Sequence, residues 1–254
     1  MVLAVLNNKG GVGQTSTSVN LAAALAAPKR RVLLIDLDSQ ASASLWFGVW
    51  GAQLRPSSAN VLLENLPILK TVRPTSTPHL DLVPASPELA NADLALCDVV
   101  GREQTLHYAL QPVRQRYDFT ILDCPPSFSL LGVNALMAAD ALLVPVCPQF
   151  LAIEGLTNLF ASVDQVKARL GSKTKVLGLL LTMVGPGRAG TEARERLRSQ
   201  YRDRVFHTEI VSSRTLEEAP SKSKTIFQHA PRTRSADAFN RLAGEVLERL
   251  RPRR

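Results

Sequence analysis

The stretch "LNNKGGVGQTSTSVNL", residues 6–21, sets Gly10, Gly11 and Gly13 between an apolar run and a helical pattern. Glycines at such a turn adopt backbone angles denied to other residues and leave no side chains in the way. Successive N–H groups can therefore point inward at an anion. The helix that begins near Thr15 adds the positive end of its dipole. Together these features fit a phosphate group, and Thr15 offers a hydroxyl to a Mg²⁺ ion accompanying it. One position breaks the pattern: Gln14 stands where phosphate loops of this spacing carry a lysine.

These residues need a frame. "MVLAVL" reads as the strand that delivers the loop, and "TSVNLAAALAA" as a helix with Val19, Leu21, Ala22 and Leu25 at helical spacing. "RRVLLIDLD" reads as a second strand that stops at the polar "SQASAS", and "LDLVPAS" as another, after an irregular stretch over residues 48–80. Residues 87–116 predict a helical region with Leu89, Leu94, Leu96, Leu106, Leu110 and Val113 on its apolar faces. Further strands are "YDFTILDCPPS", "ALLVPVCPQ", "KVLGLLLTMV" and "RVFHTEIV". Helices are expected in "LLGVNALMAAD", "AIEGLTNLFASVDQVKARL", "TEARERLRSQY" and "SADAFNRLAGEVLERLRPRR". The Pro/Gly/Arg stretch "VGPGRAG", residues 184–190, reads as an internal loop. Continuous apolar strands alternating with helices imply an α/β fold: a doubly wound, mostly parallel sheet with helices on both faces. A chain of 254 residues with this alternation is expected to form one domain over residues 1–254.

Composition narrows the function. No run of 18 apolar residues occurs, and the chain opens on a strand without a basic leader, so a cytoplasmic protein is expected. The three cysteines, Cys97, Cys124 and Cys147, lack metal-ligand spacing and read as small hydrophobes. The formal charge of +8 is segregated: residues 185–254 carry 16 Lys/Arg against 9 Asp/Glu, whereas residues 1–184 carry 14 against 13. A basic C-terminal quarter favours an acidic partner, and phosphate contacts to DNA fit it.

The string "KGGVGQTS" resembles the deviant Walker A motif "KGGVGKT[ST]" of the ParA/MinD family, with the signature lysine present as Lys9 and the second lysine replaced by Gln14. "VLLIDLDSQASAS" resembles the family's "VLLVDLDPQGNAT". "YDFTILDCPPSFSLLGVNAL", "LLVPVCPQFLAIEGL" and "RTLEEAPSKSKTIFQHAPRTRSADAFNRLAGEV" match later segments, so the resemblance runs from end to end and is strongest to ParA proteins of the Soj type. It implies a P-loop NTPase fold that binds ATP and Mg²⁺ through Lys9, Gly10, Gly11, Val12, Gly13, Gln14, Thr15 and Ser16, with Met183 and Ser213 beside the nucleotide. By position, Asp38 would orient the attacking water. Asp36 and Asp123 would join Thr15 in arranging the metal and its water shell. Lys9 would reach across an ATP sandwich dimer to the other subunit's phosphates.

The resemblance further implies DNA segregation of a chromosome or plasmid, nonspecific binding of double-stranded DNA by the dimer on the nucleoid, and hydrolysis stimulated by a ParB-like protein. Basic candidates for DNA are Arg188, Arg194, Arg198, Arg202, Arg214, Lys222, Lys224, Arg232 and Arg234. Two departures matter. The family's "PRNVRL" is "VSSRTL" here, residues 211–216, so the base pocket is altered and Arg214 stands one place before the expected arginine. Gln14 removes a cation aimed at charge that develops during phosphoryl transfer, so hydrolysis is expected to be slow or absent. An N-terminal arginine-bearing extension is not expected, because the chain begins at its first strand. A non-hydrolysing DNA-bound scaffold is the competing reading. A MinD-like membrane protein is a weaker one, since the stripe Phe239, Leu242, Val246 and Leu250 reads as core. A metal-cluster reductase of the same superfamily does not suit Cys124 and Cys147.

Overall fold

The structure, a computed structural model, describes residues 1–149 and 152–251. Phe150 and Leu151 of "LLVPVCPQFLAIEGL" and Pro252, Arg253 and Arg254 of the terminal "RPRR" lie outside the described residues. In chain order the elements are β1 (Val2–Val5), α1 (Gln14–Leu25), β2 (Val32–Asp36), α2 (Ser42–Trp46), α3 (Ser58–Glu64), β3 (Arg73–Pro74), β4 (Leu80–Val83) and α4 (Ala92–Ala95). There follow α5 (Thr105–Ala109), α6 (Gln111–Arg114), β5 (Phe119–Asp123), α7 (Leu130–Ala138), β6 (Ala141–Val146) and α8 (Ala152–Leu170). The last elements are β7 (Lys175–Val184), α9 (Arg188–Tyr201), β8 (Val205–Val211), α10 (Arg214–Glu218), α11 (Ile226–His229) and α12 (Arg234–Arg249).

The strands form one eight-stranded sheet in the order β3-β4-β2-β5-β1-β6-β7-β8. Every pairing is parallel except that of β3, which lies antiparallel on β4 at the sheet's margin. The doubly wound expectation is met, and its reason is visible in β1. All four of its residues are buried, and they alternate between two cores: Val2 and Ala4 face one, Leu3 and Val5 the other. A strand covered on both sides must be apolar throughout, as parallel strands usually are. The first core packs under Leu62, Leu106, Leu131, Leu156 and Leu197; the second packs under Val19, Leu25, Trp46, Phe239 and Leu242.

The chain moves from β1 to β2 on one side and enters β6 on the other, so the order reverses at β1. In open α/β sheets ligands bind beyond the carboxyl ends of strands at such a reversal. The parallel register also sets Asp36 opposite Asp123 and Asp123 opposite Val5. Two acidic side chains and the end of β1 are thus brought together by strand pairing alone.

Local chemistry accounts for the departures from expectation. The helical reading of residues 87–116 is corrected: only short pieces, 3₁₀ turns and α4, α5 and α6 occur there. Gly101 in the left-handed region interrupts the run, and Pro112 starts a fresh turn within α6. The irregular stretch 48–80 contains α3, whose capping box pairs Ser57 with Asn60. Helix α1 begins one residue before Thr15, at Gln14, and α9 takes up the end of "VGPGRAG" from Arg188. The stripe Phe239, Leu242 and Val246 of α12 is fully buried, as a core-facing helix requires. Phe239→Ala is expected to lower unfolding free energy by about 3–5 kcal/mol in urea titration, because it empties a closed packing site beneath α1.

Candidate nucleotide site

Loop 6–13 leaves β1 and enters α1 through Gly13, which caps the helix in the left-handed region at φ 73°. Gly11 also has positive φ, 71°; such paired reversals expose backbone N–H groups to the loop's concave side. The loop is anchored rather than slack. Thr182 on β7 donates to the Val12 carbonyl at 2.7 Å, Thr17 Oγ1 donates to the Gly13 carbonyl at 2.7 Å, and Asn7 Nδ2 donates to the Pro145 carbonyl at 2.6 Å.

Gln14 is the unexpected part of this frame. Its side chain is buried and turned back toward the sheet. Oε1 accepts from the Asn7 N–H at 3.1 Å, while Nε2 donates to the Cys124 carbonyl. In this orientation the amide serves a donor at one end and an acceptor at the other. The residue that removes a cation from the phosphate loop therefore also ties the end of β1 to the segment following β5. Lys9 lies outside, exposed, with Nζ donating to Gln149 Oε1 at 2.9 Å.

The carboxylates occupy the neighbouring strand ends. Asp123 is fully buried and Asp36 likewise. Ser18 donates to Asp123 Oδ1 at 2.7 Å; Asp123 Oδ2 is buried without a hydrogen-bond partner among the described residues, as is the Ser16 hydroxyl. Asp36 is better served: Ser44 donates to its Oδ2 from both N–H, at 2.8 Å, and Oγ, at 2.7 Å, and the Asp38 N–H donates to Oδ1 at 3.1 Å. Burial pushes the Asp123 carboxyl up to about 8, and the neighbouring Asp36 charge adds to it. Burial also raises Asp36, to about 6, against the pull of its Ser44 hydrogen bonds. Asp38 is only half-buried and accepts from the Gln40 N–H at 3.0 Å. An orphaned carboxylate oxygen in a set of hard oxygen donors, Thr15, Asp36 and Asp123, fits Mg²⁺ and its retained waters.

Beside the loop, a cleft of about 200 Å³ is lined by Gly13, Ser16, Trp46, Met183, Ile210 and Ser213, among others. Met183 and Ser213, singled out from sequence, are therefore brought to one place. Sequence reasoning missed Trp46, Thr182, Ile210 and Glu217 of the same lining, as well as Asn7, Ser18 and Ser44. Of these, Ser44 sits in the polar "SQASAS" that ends β2, the one available signal. Ser213 Oγ lies 2.8 Å from Thr215 Oγ1, so the altered "VSSRTL" forms its own hydroxyl pair at the cleft.

The basic candidates divide into two groups. Arg188 pairs with Glu192, Arg214 with Glu218, and Arg194 and Arg198 share Glu209 at 3.2 and 2.7 Å. Arg202, Lys222, Lys224, Arg232 and Arg234 are exposed and form no ion pair among the described residues. Cys124 is buried and Cys147 half-buried; burial raises both thiols and keeps them protonated. No described helix is long and apolar enough to cross a membrane.

A glycine-rich loop after the first strand of a doubly wound sheet, with paired carboxylates at adjacent strand ends, defines a protein of the P-loop NTPase fold. Residues 1–176 match the family described as "AAA domain". The chain is 39% identical over 246 residues to the sporulation initiation inhibitor protein Soj of Bacillus subtilis, covering 96% of this chain and 97% of that one. It is 40% identical over 249 residues to the chromosome-partitioning ATPase Soj of Thermus thermophilus, covering 98% and 96%. The chain belongs to the ParA/Soj family of partition ATPases. Among solved structures it resembles cobyrinic acid a,c-diamide synthase of Mycobacterium smegmatis with bound ADP and magnesium, at a TM-score of 0.84 and 29% identity over 97% of this chain and 94% of that one. It shares its fold with apo McdA of Cyanothece, at a TM-score of 0.86 and 20% identity over 98% and 99%.

Two outcomes follow from the buried groups. Gln14→Met keeps volume but leaves the Asn7 N–H and Cys124 carbonyl unpaired, so unfolding free energy in urea should fall by about 1–3 kcal/mol. For Asp123, the folded value of about 8 lies above the ordinary 3.8. The native state then holds its proton more tightly than the unfolded chain, so stability is lost as pH rises between those values. Without divalent cations the thermal midpoint should fall between about pH 5 and pH 8 by several degrees, and Asp123→Asn should flatten that dependence in scanning calorimetry.

Proposed function

We propose that the chain is a nucleotide-dependent switch in DNA segregation, acting in the cytoplasm on the nucleoid. The observation that carries this reading is the anchored backbone cradle of residues 9–16 beside the buried pair Asp36 and Asp123, one of whose oxygens lacks a partner. Gly10, Gly11, Val12 and Gly13 would present main-chain N–H groups to the phosphates, Ser16 and the cleft at Met183 and Ser213 would receive the nucleoside, and Thr15 would help hold the metal. Bound Mg²⁺ would supply neutralising charge to the phosphate oxygens. Asp123 and Asp36 would hold its water shell, and the half-buried Asp38 would orient the attacking water.

Lys9 leaves Gln149 to meet the phosphates of a second copy, so ATP favours a sandwich dimer by its differential affinity for the paired state. The dimer binds DNA backbone without regard to sequence, and a ParB-like protein promotes hydrolysis and release. The exposed Arg202, Lys222, Lys224, Arg232 and Arg234 are the available DNA contacts among those named from sequence.

Gln14 makes hydrolysis slow, because no cation from this position meets charge developing on the transferred phosphoryl group. The saturation of both ends of its amide also favours a second reading, a non-hydrolysing scaffold that binds nucleotide and DNA without turnover. Size-exclusion and DNA-retention measurements with ATP, ADP and no nucleotide, at two salt concentrations, test the switch. Dimerisation and tighter DNA retention with ATP are expected; identical behaviour in all three states would reject it. Gln14→Lys should raise ATP turnover by about tenfold or more, and an unchanged rate would remove Gln14 as the limiting feature.

A further inference from the structure

The cleft of about 200 Å³ beside the phosphate loop has the dimensions of a nucleobase, and its walls are apolar: Trp46, Met183, Ile210, Val211, Leu216 and Pro220. Met183 and Val211 are exposed there, and a flat ring laid in the cleft would cover them. Apolar walls of this kind hold any purine and discriminate weakly between two of similar shape. Selection of the base falls to the polar groups of the lining.

Most of those groups are already engaged. Trp46 Nε1 donates to the Lys224 carbonyl at 2.8 Å, and the Thr17 and Thr182 hydroxyls donate to the Gly13 and Val12 carbonyls, each at 2.7 Å. The Ser213 hydroxyl shares a hydrogen bond with that of Thr215 at 2.8 Å. The Ser16 hydroxyl, buried without a partner among the described residues, and the exposed Ser212 remain. A hydroxyl can donate or accept, so neither favours one base edge over another. Glu217 is different. It borders the cleft from α10, is exposed, and forms no ion pair among the described residues, whereas the adjacent Glu218 takes both Arg214 and His229. Its carboxylate offers two acceptor oxygens and no donor.

We propose that Glu217 determines base specificity in this cleft, and that guanine nucleotides bind there at least as tightly as adenine nucleotides. Guanine carries N1–H and the N2 amine side by side, a donor pair matched to the two oxygens of one carboxylate. Adenine sets its N6 amine beside a bare N1, an acceptor that a carboxylate repels. The altered segment "VSSRTL" and this carboxylate belong to one turn: the Glu217 N–H donates to the Ser213 carbonyl at 3.1 Å, which fixes the start of α10 at the cleft. The inference rests on the nucleotide-binding reading. It names the base that the site takes and leaves the phosphates and the metal where that reading puts them.

The test is calorimetric titration of the full chain, Glu217→Ala and Glu217→Gln with GDP, ADP and inosine diphosphate, each with Mg²⁺. In the unaltered chain GDP should bind at least as tightly as ADP. Inosine diphosphate, which keeps N1–H but lacks the N2 amine, should bind about tenfold more weakly than GDP. Glu217→Ala should lose about tenfold or more for GDP and bring GDP and inosine diphosphate together, with ADP changed by less than about threefold. Glu217→Gln, which offers one donor and one acceptor, should turn the preference toward ADP. Because Glu217 is exposed, both variants should melt as the unaltered chain does. Weaker binding of GDP than of ADP by the unaltered chain overturns the proposal, and so does a loss in Glu217→Ala that is equal for the two. If ADP binds and GDP does not, the base assignment is wrong while the nucleotide reading stands. If neither diphosphate binds, both are wrong.

Discussion

Asp36 and Asp123 stand side by side because β2 and β5 pair in parallel register, and they do so in a region from which water is excluded. Burial raises the proton affinity of both, the Asp36 charge adds to the rise at Asp123 and the Asp38 charge to that at Asp36, and part of the cost is offset by Ser18 and Ser44. The sheet can tolerate this because its strands are otherwise apolar on both faces, with two cores supplying the compensating burial. The position of the phosphate loop, the orientation of α1 and the placement of Ser44 all follow from having to end three strands around that pair. A site built this way is organised before any ligand arrives, and its unmet oxygen defines the chemistry it accepts.

Gln14 changes the meaning of a familiar loop. A lysine at that position would be a charge held over the cradle. The amide is instead a short cross-brace between two strand ends, and its two hydrogen bonds are of opposite sense. Charge has been exchanged for rigidity. The anchoring of Val12 by Thr182 and of Asn7 by Pro145 works in the same direction, tying the loop to β6 and β7.

Much of this was legible in the residues. The alternation of apolar strands with helices gave the sheet, and the glycine spacing gave the loop, because both are local patterns with a period. The site's acidic pair was nameable only through family resemblance; that Asp36 and Asp123 touch the same volume is a matter of register between strands far apart in the chain. The fate of Gln14 was hidden for a related reason: its partners, Asn7 and Cys124, are ordinary backbone groups and leave no mark on composition. The region 87–116 was misread because leucine spacing outweighed Gly101 and Pro112, which decide where a helix can continue. Among basic residues, sequence offers no means of telling Arg198, bound to Glu209, from exposed Arg232.

The margin of the sheet carries a quieter consequence. The outermost strand, β3, is only Arg73–Pro74, and its proline has no N–H to offer to a further strand. An edge strand this short, with a proline in it, disfavours addition of a further strand on this side. The opposite margin, the seven-residue β8 without a proline, has no such stop, so the two edges of the sheet are unequal as templates for strand pairing.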